Sequence, residues 1–119
     1  MSSFIIEGGH RLHGTIIPQG AKNEALQVLC ATLLTEDCVR IKNIPDILDV
    51  NNLIQLLADI GVEITVNGPN DMTFCARHIN ADYLQSETFY KRCSSLRGSI
   101  LLIGPCLARF GRTVVAQPG

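Results

Sequence analysis

Short segments with strand-like and helix-like patterns alternate along all 119 residues of this chain, and the connections between them are short. Period-two segments predict strands, and segments with a 3.6-residue apolar period predict helices. The resulting order is strand, helix, strand, helix, strand, strand, helix, strand. This order predicts an α/β fold in which helices cover a sheet, and the length allows one core rather than two full domains.

Three segments have helical patterns. Residues 20–34 carry apolar side chains almost all round the helix, which predicts burial on most sides. Residues 46–60 have a single apolar face, and Gly61 is a typical stop signal. A third helix is predicted from Ser94 or Ser95 to residue 110, with a bend at 104–105 where Gly is followed by Pro.

The strand predictions depend on alternation and on turn residues. Residues 76–90 are polar and weakly periodic, and they are interpreted as a surface connection. The predicted strands are 4–7 and 12–17, as a plausible hairpin; 38–42; 62–66 and 72–75, as a hairpin around the turn at 67–71; and 113–116.

Charge and hydropathy exclude several classes of partner. Ten basic residues stand against 11 acidic ones, for a net charge of -1, so no general electrostatic attraction to nucleic acid or to an anionic membrane is expected. No apolar run is long enough for a membrane span, and the first residues do not form a signal peptide. We therefore expect a cytoplasmic protein. Its mean hydropathy of +0.21 indicates a slight excess of apolar residues.

The five cysteines are an odd number and include no Cys-x-x-Cys pair, so free thiols in a reducing compartment are the simplest interpretation. Cys30 and Cys106 fit small core positions. Cys93 follows two basic residues and precedes a predicted helix, but no base is fixed near it, and a core role is favoured over a reactive one. His10 and His13 have no third ligand in reach. No metal and no cofactor are predicted.

Basic residues at the starts of two predicted helices are the strongest candidates for a binding site. A cation at a helix N-terminus opposes the helix dipole by about 0.3 to 1 kcal/mol, yet Lys22, beside Asn23, and Arg97 occupy such positions. A cation beside free backbone N–H groups is one way to bind phosphate or carboxylate. Solvated helix ends are the alternative interpretation. Asp46 and Asp49 are interpreted as a capping pair of the second helix rather than as catalytic carboxylates.

The last strand-like segment runs into Gln117-Pro118-Gly119, which weakly repeats the pattern at 15–20 that precedes the first helix. At the second copy no helix follows. We therefore expect that the chain is the truncated start of a longer protein.

Four motifs stand out along the chain: Gly-Ala-Lys-Asn at 20–23, Asn-Ile-Pro-Asp at 43–46, Leu-Arg-Gly-Ser-Ile at 96–100 and Ala-Arg-Phe-Gly at 108–111. In this order they resemble motifs of the enolpyruvyl transferases, in particular the UDP-N-acetylglucosamine 1-carboxyvinyltransferases, and the similar segments cover essentially the whole chain. The related 5-enolpyruvylshikimate-3-phosphate synthases share the fold but have Lys-Ser and then Asn-Arg at the first helix, which this chain lacks.

The resemblance implies an inside-out α/β barrel built from βαβαββ units, of which only the N-terminal part is present. Residues 1–20 would form strands belonging with a missing C-terminal domain, and residues 21–119 would begin a truncated N-terminal domain. The family's reactive cysteine lies on a Gly-Gly-Cys loop that would follow Gly119, so none of the five cysteines matches it.

The implied reaction transfers the enolpyruvyl group of phosphoenolpyruvate to the 3-hydroxyl of UDP-N-acetylglucosamine and releases phosphate, the first committed step of peptidoglycan synthesis. Lys22 would meet phosphoenolpyruvate, Asn23 would orient the sugar nucleotide, and Arg97 would bind substrate at the cleft between domains. The 119 residues alone are expected to be inactive. Two alternatives stay open: a transferase acting on shikimate 3-phosphate, and a non-catalytic module that binds a phosphorylated ligand.

Overall fold

The computed structural model describes residues 2–115, and within them the elements form a mixed α/β arrangement. None of the helices in this part is long and apolar enough to cross a membrane. The helices are α1 (Lys22–Ala31), α2 (Leu48–Ile60), α3 (Glu87–Ser95) and α4 (Ile103–Phe110), with 3₁₀-helices at Thr32–Leu34, Tyr83–Gln85 and Arg97–Leu102; the strands are β1 (Cys38–Lys42), β2 (Glu63–Gly68) and β3 (Asp71–Cys75).

The three strands form one antiparallel sheet in the order β1-β3-β2. The strand at 38–42 and the hairpin that joins β2 to β3 are confirmed. Alternation places Ile41, Ile64 and Phe74 towards the core, and Phe74 is fully buried. The opposite face carries the polar side chains of Arg40 and Thr65.

The core lies between the inner face of the sheet and the helices. The second predicted helix is confirmed: α2 ends at Ile60, and Gly61 adopts a positive φ of 121°, at which any side chain would be strained. A Cβ at Gly61 would also lie 2.6 Å from the carbonyl oxygen of His78. The fully buried side chains of α2 are Val50, Leu53, Leu56, Leu57 and Ile60.

The prediction that the first helix is buried on most sides is wrong. Leu26, Leu29 and Cys30 face the core, but Val28 is 40% exposed and Leu34 is 55% exposed. The α-helix ends at Ala31 and tightens into the 3₁₀-helix at Thr32–Leu34. Within the described residues, the apolar surface of α1 is therefore covered by the core on one side only.

The predicted hairpin of residues 4–7 and 12–17 is absent, because residues 2–20 form no strand. Phe4 and Ile5 are 92% and 93% exposed, and Leu12, Ile16 and Ile17 are exposed as well. A two-stranded hairpin is marginal in water unless another element covers its apolar face, and no described element covers this one. Residues 113–115 of the last predicted strand are also not in a strand, and Ala116 lies outside the described residues.

The region from residue 76 to residue 110 also differs from the prediction. Helix α3 begins inside the supposed connection, where the Ser86 side chain caps it by accepting a hydrogen bond from the backbone N–H of Phe89 (3.1 Å). The single helix predicted from Ser94 or Ser95 is instead the end of α3, a 3₁₀-helix and α4. Pro105 lies in the first turn of α4, which directly follows the 3₁₀-helix that ends at Leu102. The bend at 104–105 stays a prediction.

The interpretation of all five cysteines as free thiols is wrong for two of them. Cys38 of β1 and Cys75 of β3 are directly opposite in the sheet register and form a disulfide, with their Cα atoms 4.3 Å apart. Residues 37 positions apart in sequence become neighbours only when the sheet pairs, so spacing along the chain carries no sign of the bond. Cys30, Cys93 and Cys106 are free and buried, as core positions require.

Candidate anion-binding site

A close backbone contact sets the position at which α1 begins. A Cβ on Gly20 would lie 1.9 Å from the carbonyl oxygen of Asn43 and 3.0 Å from Cδ of Pro45, so only glycine fits here. Asn43 itself has a positive φ of 58° and directly follows β1. The start of α1 is therefore packed against the segment that leads into α2.

This contact brings the first turns of two helices together. Lys22 opens α1, Asp49 lies in the first turn of α2, and Lys22 Nζ lies 2.5 Å from Asp49 Oδ2. The two side chains are 48% and 49% exposed, so solvent screens the ion pair and its contribution to stability is small. The half-exposed ammonium remains accessible to an anion from solution.

The interpretation of Asp46 and Asp49 as a capping pair is wrong. The N-cap residue of α2 is Ile47, which makes no side-chain cap, and Asp46 accepts a hydrogen bond from Asn51 Nδ2 at 2.8 Å. Asp49 still lies where a carboxylate favours the helix dipole, but its partner is Lys22. No spacing rule could have found this pair, because the two residues belong to different helices.

Arg97 is exposed and begins the 3₁₀-helix at Arg97–Leu102, not an α-helix as predicted. This 3₁₀-helix packs against α1: a Cβ on Gly98 would lie 3.4 Å from Cδ2 of Leu26, one helical turn beyond Lys22. The structure thus places the segment that carries Arg97 beside the helix that carries Lys22 and Asn23. All three predicted site residues are exposed.

The N-terminus of α1 adds backbone donors to these side chains. Its N-cap residue, Ala21, makes no side-chain cap, so no side chain competes with an incoming anion for the first N–H groups. Helix N–H groups and an ammonium suit a phosphate or carboxylate, and Arg97 lies on a segment that packs against the same helix. A groove of about 160 Å³ adjoins this helix start and includes Gly20 and Ala21 in its lining. A larger cavity, of about 460 Å³, lies elsewhere, against Leu84, Phe89 and Phe110.

The three free cysteines do not provide a nucleophile. Burial raises the pKa of the Cys30 thiol to about 12 and that of Cys106 to about 11, and it also raises the pKa of Cys93. A thiol with a raised pKa carries little thiolate at neutral pH, and thiolate is the reactive form. His10 and His13 are exposed, and within residues 2–115 no three His, Cys, Asp or Glu side chains form a group that could hold a metal ion.

The amino-acid sequence of this chain is similar to those of known proteins over nearly its whole length. Residues 6–119 match the family described as EPSP synthase (3-phosphoshikimate 1-carboxyvinyltransferase). The chain is 59% identical over 119 residues to the UDP-N-acetylglucosamine 1-carboxyvinyltransferase of Bacteroides fragilis and 51% identical over 119 residues to that of Porphyromonas gingivalis. In both comparisons all of this chain aligns with 27% of the relative's length.

A more distant relative bears the same name. The UDP-N-acetylglucosamine 1-carboxyvinyltransferase of Bradyrhizobium diazoefficiens is 41% identical over 116 residues, which are 98% of this chain and 26% of the relative. The chain thus spans about a quarter of the length of the curated relatives it matches. Because the family match extends over nearly every residue, the resemblance noted from the motifs is confirmed, and the chain belongs to the EPSP synthase (3-phosphoshikimate 1-carboxyvinyltransferase) family.

Proposed function

We propose that this chain is the N-terminal part of an enolpyruvyl transferase that moves the enolpyruvyl group of phosphoenolpyruvate to the 3-hydroxyl of UDP-N-acetylglucosamine. The observation that carries the proposal is the accessible cation Lys22 at the uncapped start of α1, with the Arg97 segment packed beside it, in a chain of this family. The named relatives, up to 59% identical, support the choice of acceptor.

The reaction explains why cations are needed on a nearly neutral chain. Phosphoenolpyruvate brings a phosphate and a carboxylate, and UDP-N-acetylglucosamine brings a diphosphate. Protonation of the enol carbon lets the sugar hydroxyl add to the neighbouring carbon and lose its own proton. Phosphate then leaves as the new methyl group loses a proton, which restores the carbon–carbon double bond. Lys22 and Arg97 would lower the barrier if they bound the phosphate more strongly as its charge grows, and Asn23 would orient the sugar nucleotide by hydrogen bonding.

Several further properties belong to the same proposal. The full fold would be an inside-out α/β barrel with two domains, residues 1–20 joining the C-terminal one and residues 21–119 beginning the N-terminal one. The apolar side chains of residues 2–20, which are exposed here, support the need for such a partner. The observed order α1-β1-α2-β2-β3 agrees with the last five elements of a βαβαββ unit. The enzyme would act in the cytoplasm, without nucleic acid or membrane partners, in peptidoglycan synthesis.

Phosphate release by the protein from the complete coding sequence tests the activity. We expect release from phosphoenolpyruvate that depends on UDP-N-acetylglucosamine, and no turnover by the 119 residues alone. Release with shikimate 3-phosphate only would indicate the other transferase. Binding of either phosphorylated ligand without turnover by the complete protein would indicate a binding module.

Replacement of Lys22 tests the site. Lys22→Ala is expected to abolish turnover while changing the unfolding midpoint little, because its ion pair with Asp49 is half-exposed. Lys91→Ala, which removes an exposed lysine of α3, is the matched control and should retain activity. Full activity of Lys22→Ala would contradict the assignment, and a large loss of stability would indicate a structural lysine.

A further inference from the structure

The Cys38–Cys75 disulfide lies on the outer face of the sheet, away from the core. Its two strands are neighbours, with β1 at the edge and β3 in the centre. Along β1, Cys38 and Arg40 share the exposed face, whereas Val39 and Ile41 are less exposed. A reagent in solution can therefore reach the bond without unfolding the core.

The two sulfur-bearing residues differ in accessibility. Cys38 is exposed and belongs to the edge strand, whereas Cys75 is half-buried between two strands. The sulfur attacked in thiol–disulfide exchange depends on access. Cys38 is accordingly the sulfur that an incoming thiolate meets first.

The fold does not depend on this bond to bring the two strands together. Five residue pairs join β1 to β3, from Cys38↔Cys75 to Lys42↔Asp71. The core contacts of Phe74 and Ile41 lie on the other face. Opening the disulfide removes one link on the solvent side and leaves both the ladder and the core, so the oxidised and reduced forms can interconvert without refolding.

The remaining thiols do not compete for the exchange. Cys30, Cys93 and Cys106 are all buried, and burial raises the pKa of each. Thiols that are both buried and protonated react slowly with disulfides. Reshuffling to a different pair is therefore disfavoured while the chain is folded.

We propose that Cys38 and Cys75 form a redox modification site that exchanges reversibly with small dithiols. A thiolate of the reductant attacks Sγ of Cys38, the S–S bond breaks, and Sγ of Cys75 leaves as a thiolate that takes a proton from water. The second thiolate of the reductant then attacks the reductant's other sulfur, which is bonded to Cys38 in the mixed disulfide. Cys38 is released as a thiolate and takes a proton from water. The protein gains two electrons and two protons, and the dithiol becomes a disulfide.

Differential alkylation with peptide mass mapping tests this proposal. The protein from the complete coding sequence is equilibrated with graded ratios of reduced to oxidised dithiothreitol, and free thiols are labelled before and after denaturation. We expect Cys38 and Cys75 to change together in one reversible two-electron transition. Cys30, Cys93 and Cys106 should stay reduced and become labelled only in denaturant.

Single substitutions test the direction of attack. With oxidised glutathione, Cys75→Ser is expected to form a mixed disulfide at Cys38 several-fold faster than Cys38→Ser forms one at Cys75. The double variant Cys38→Ser/Cys75→Ser is the control and should take up no glutathione at these positions. The proposal would be overturned if Cys38 and Cys75 stayed reduced at every ratio or changed independently of each other. If Cys38→Ser formed its mixed disulfide faster than Cys75→Ser, the role of Cys38 as the attacked sulfur would be overturned.

Discussion

Replacing Gly20 by alanine tests whether the backbone contact at the start of α1 organises the site. The added Cβ would lie 1.9 Å from the carbonyl oxygen of Asn43 and 3.0 Å from Cδ of Pro45. An ordinary contact between these atoms is longer than 3 Å, so the start of α1 and the Asn43 peptide must separate by more than 1 Å. Because the obstacle is backbone, no side-chain rotation can relieve it.

The expected cost follows from overpacking. Inserting a methyl group into a closely packed contact costs about 1 to 3 kcal/mol. The contact involves a backbone oxygen and a proline ring, which move less easily than a side-chain end, so a value near the upper end is expected. The same displacement would separate Lys22 from Asp49, whose ion pair joins the first turns of α1 and α2.

Urea unfolding followed by circular dichroism measures this cost. Gly104→Ala is the matched control, because a Cβ there would have nothing within 4 Å and the residue lies in the first turn of α4. Alanine is favoured over glycine in a helix by up to about 1 kcal/mol, so this control should be neutral or stabilising. A Gly20→Ala variant as stable as the original chain, or one with the same midpoint as Gly104→Ala, would refute the argument.

Three further predictions concern the sheet. The pKa of Asp71 is lowered from 3.8 to about 2, mainly by the hydrogen bonds from Arg40 and also by Asn67 and the charge of Lys42. The stability gained from Asp71 is therefore present above pH 3.8 and is lost as the pH falls towards 2, and acid titration of Arg40→Gln should show a smaller loss. Reduction of the Cys38–Cys75 disulfide, which closes a loop of sequence separation 37, should lower the free energy of unfolding by about 4 kcal/mol on the chain-entropy account; equal urea midpoints with and without reductant would contradict this. Phe74→Ala should cost about 3 to 5 kcal/mol, because the ring is fully buried, and a loss below 1 kcal/mol in calorimetry would show that the site is not packed as described.

Part of the candidate site could be predicted from local sequence. Lys22 and Arg97 were singled out because a cation opposes the dipole at a helix start, and Lys22 does occupy the first turn of α1. Arg97 begins a 3₁₀-helix, separated from the end of α3 by one residue. The ion pair of Lys22 with Asp49 was not evident, because Asp49 has an equally good local interpretation as a helix cap.

In the fold, too, the features that depend on neighbouring residues could be predicted. The strand at β1, the β2–β3 hairpin and α2 with its Gly61 stop could be predicted, because period, turn residues and glycine conformation act within a few residues of one another. The missed N-terminus of α3 was also local: Ser86, followed by Glu87, is a capping signal in a segment interpreted as a connection.

Tertiary structure decided what depends on partners distant in sequence. Residues 2–20 have the alternating pattern of strands but form no strand. A strand needs a neighbour that satisfies its backbone groups and covers its apolar face, and no described element supplies one. Cys38 and Cys75 meet only through the pairing of β1 with β3, and Lys22 meets Asp49 through the packing of α1 against the segment that begins α2. Periodicity records which face of an element is apolar, whereas register and helix packing determine which side chains from different elements come within bonding distance.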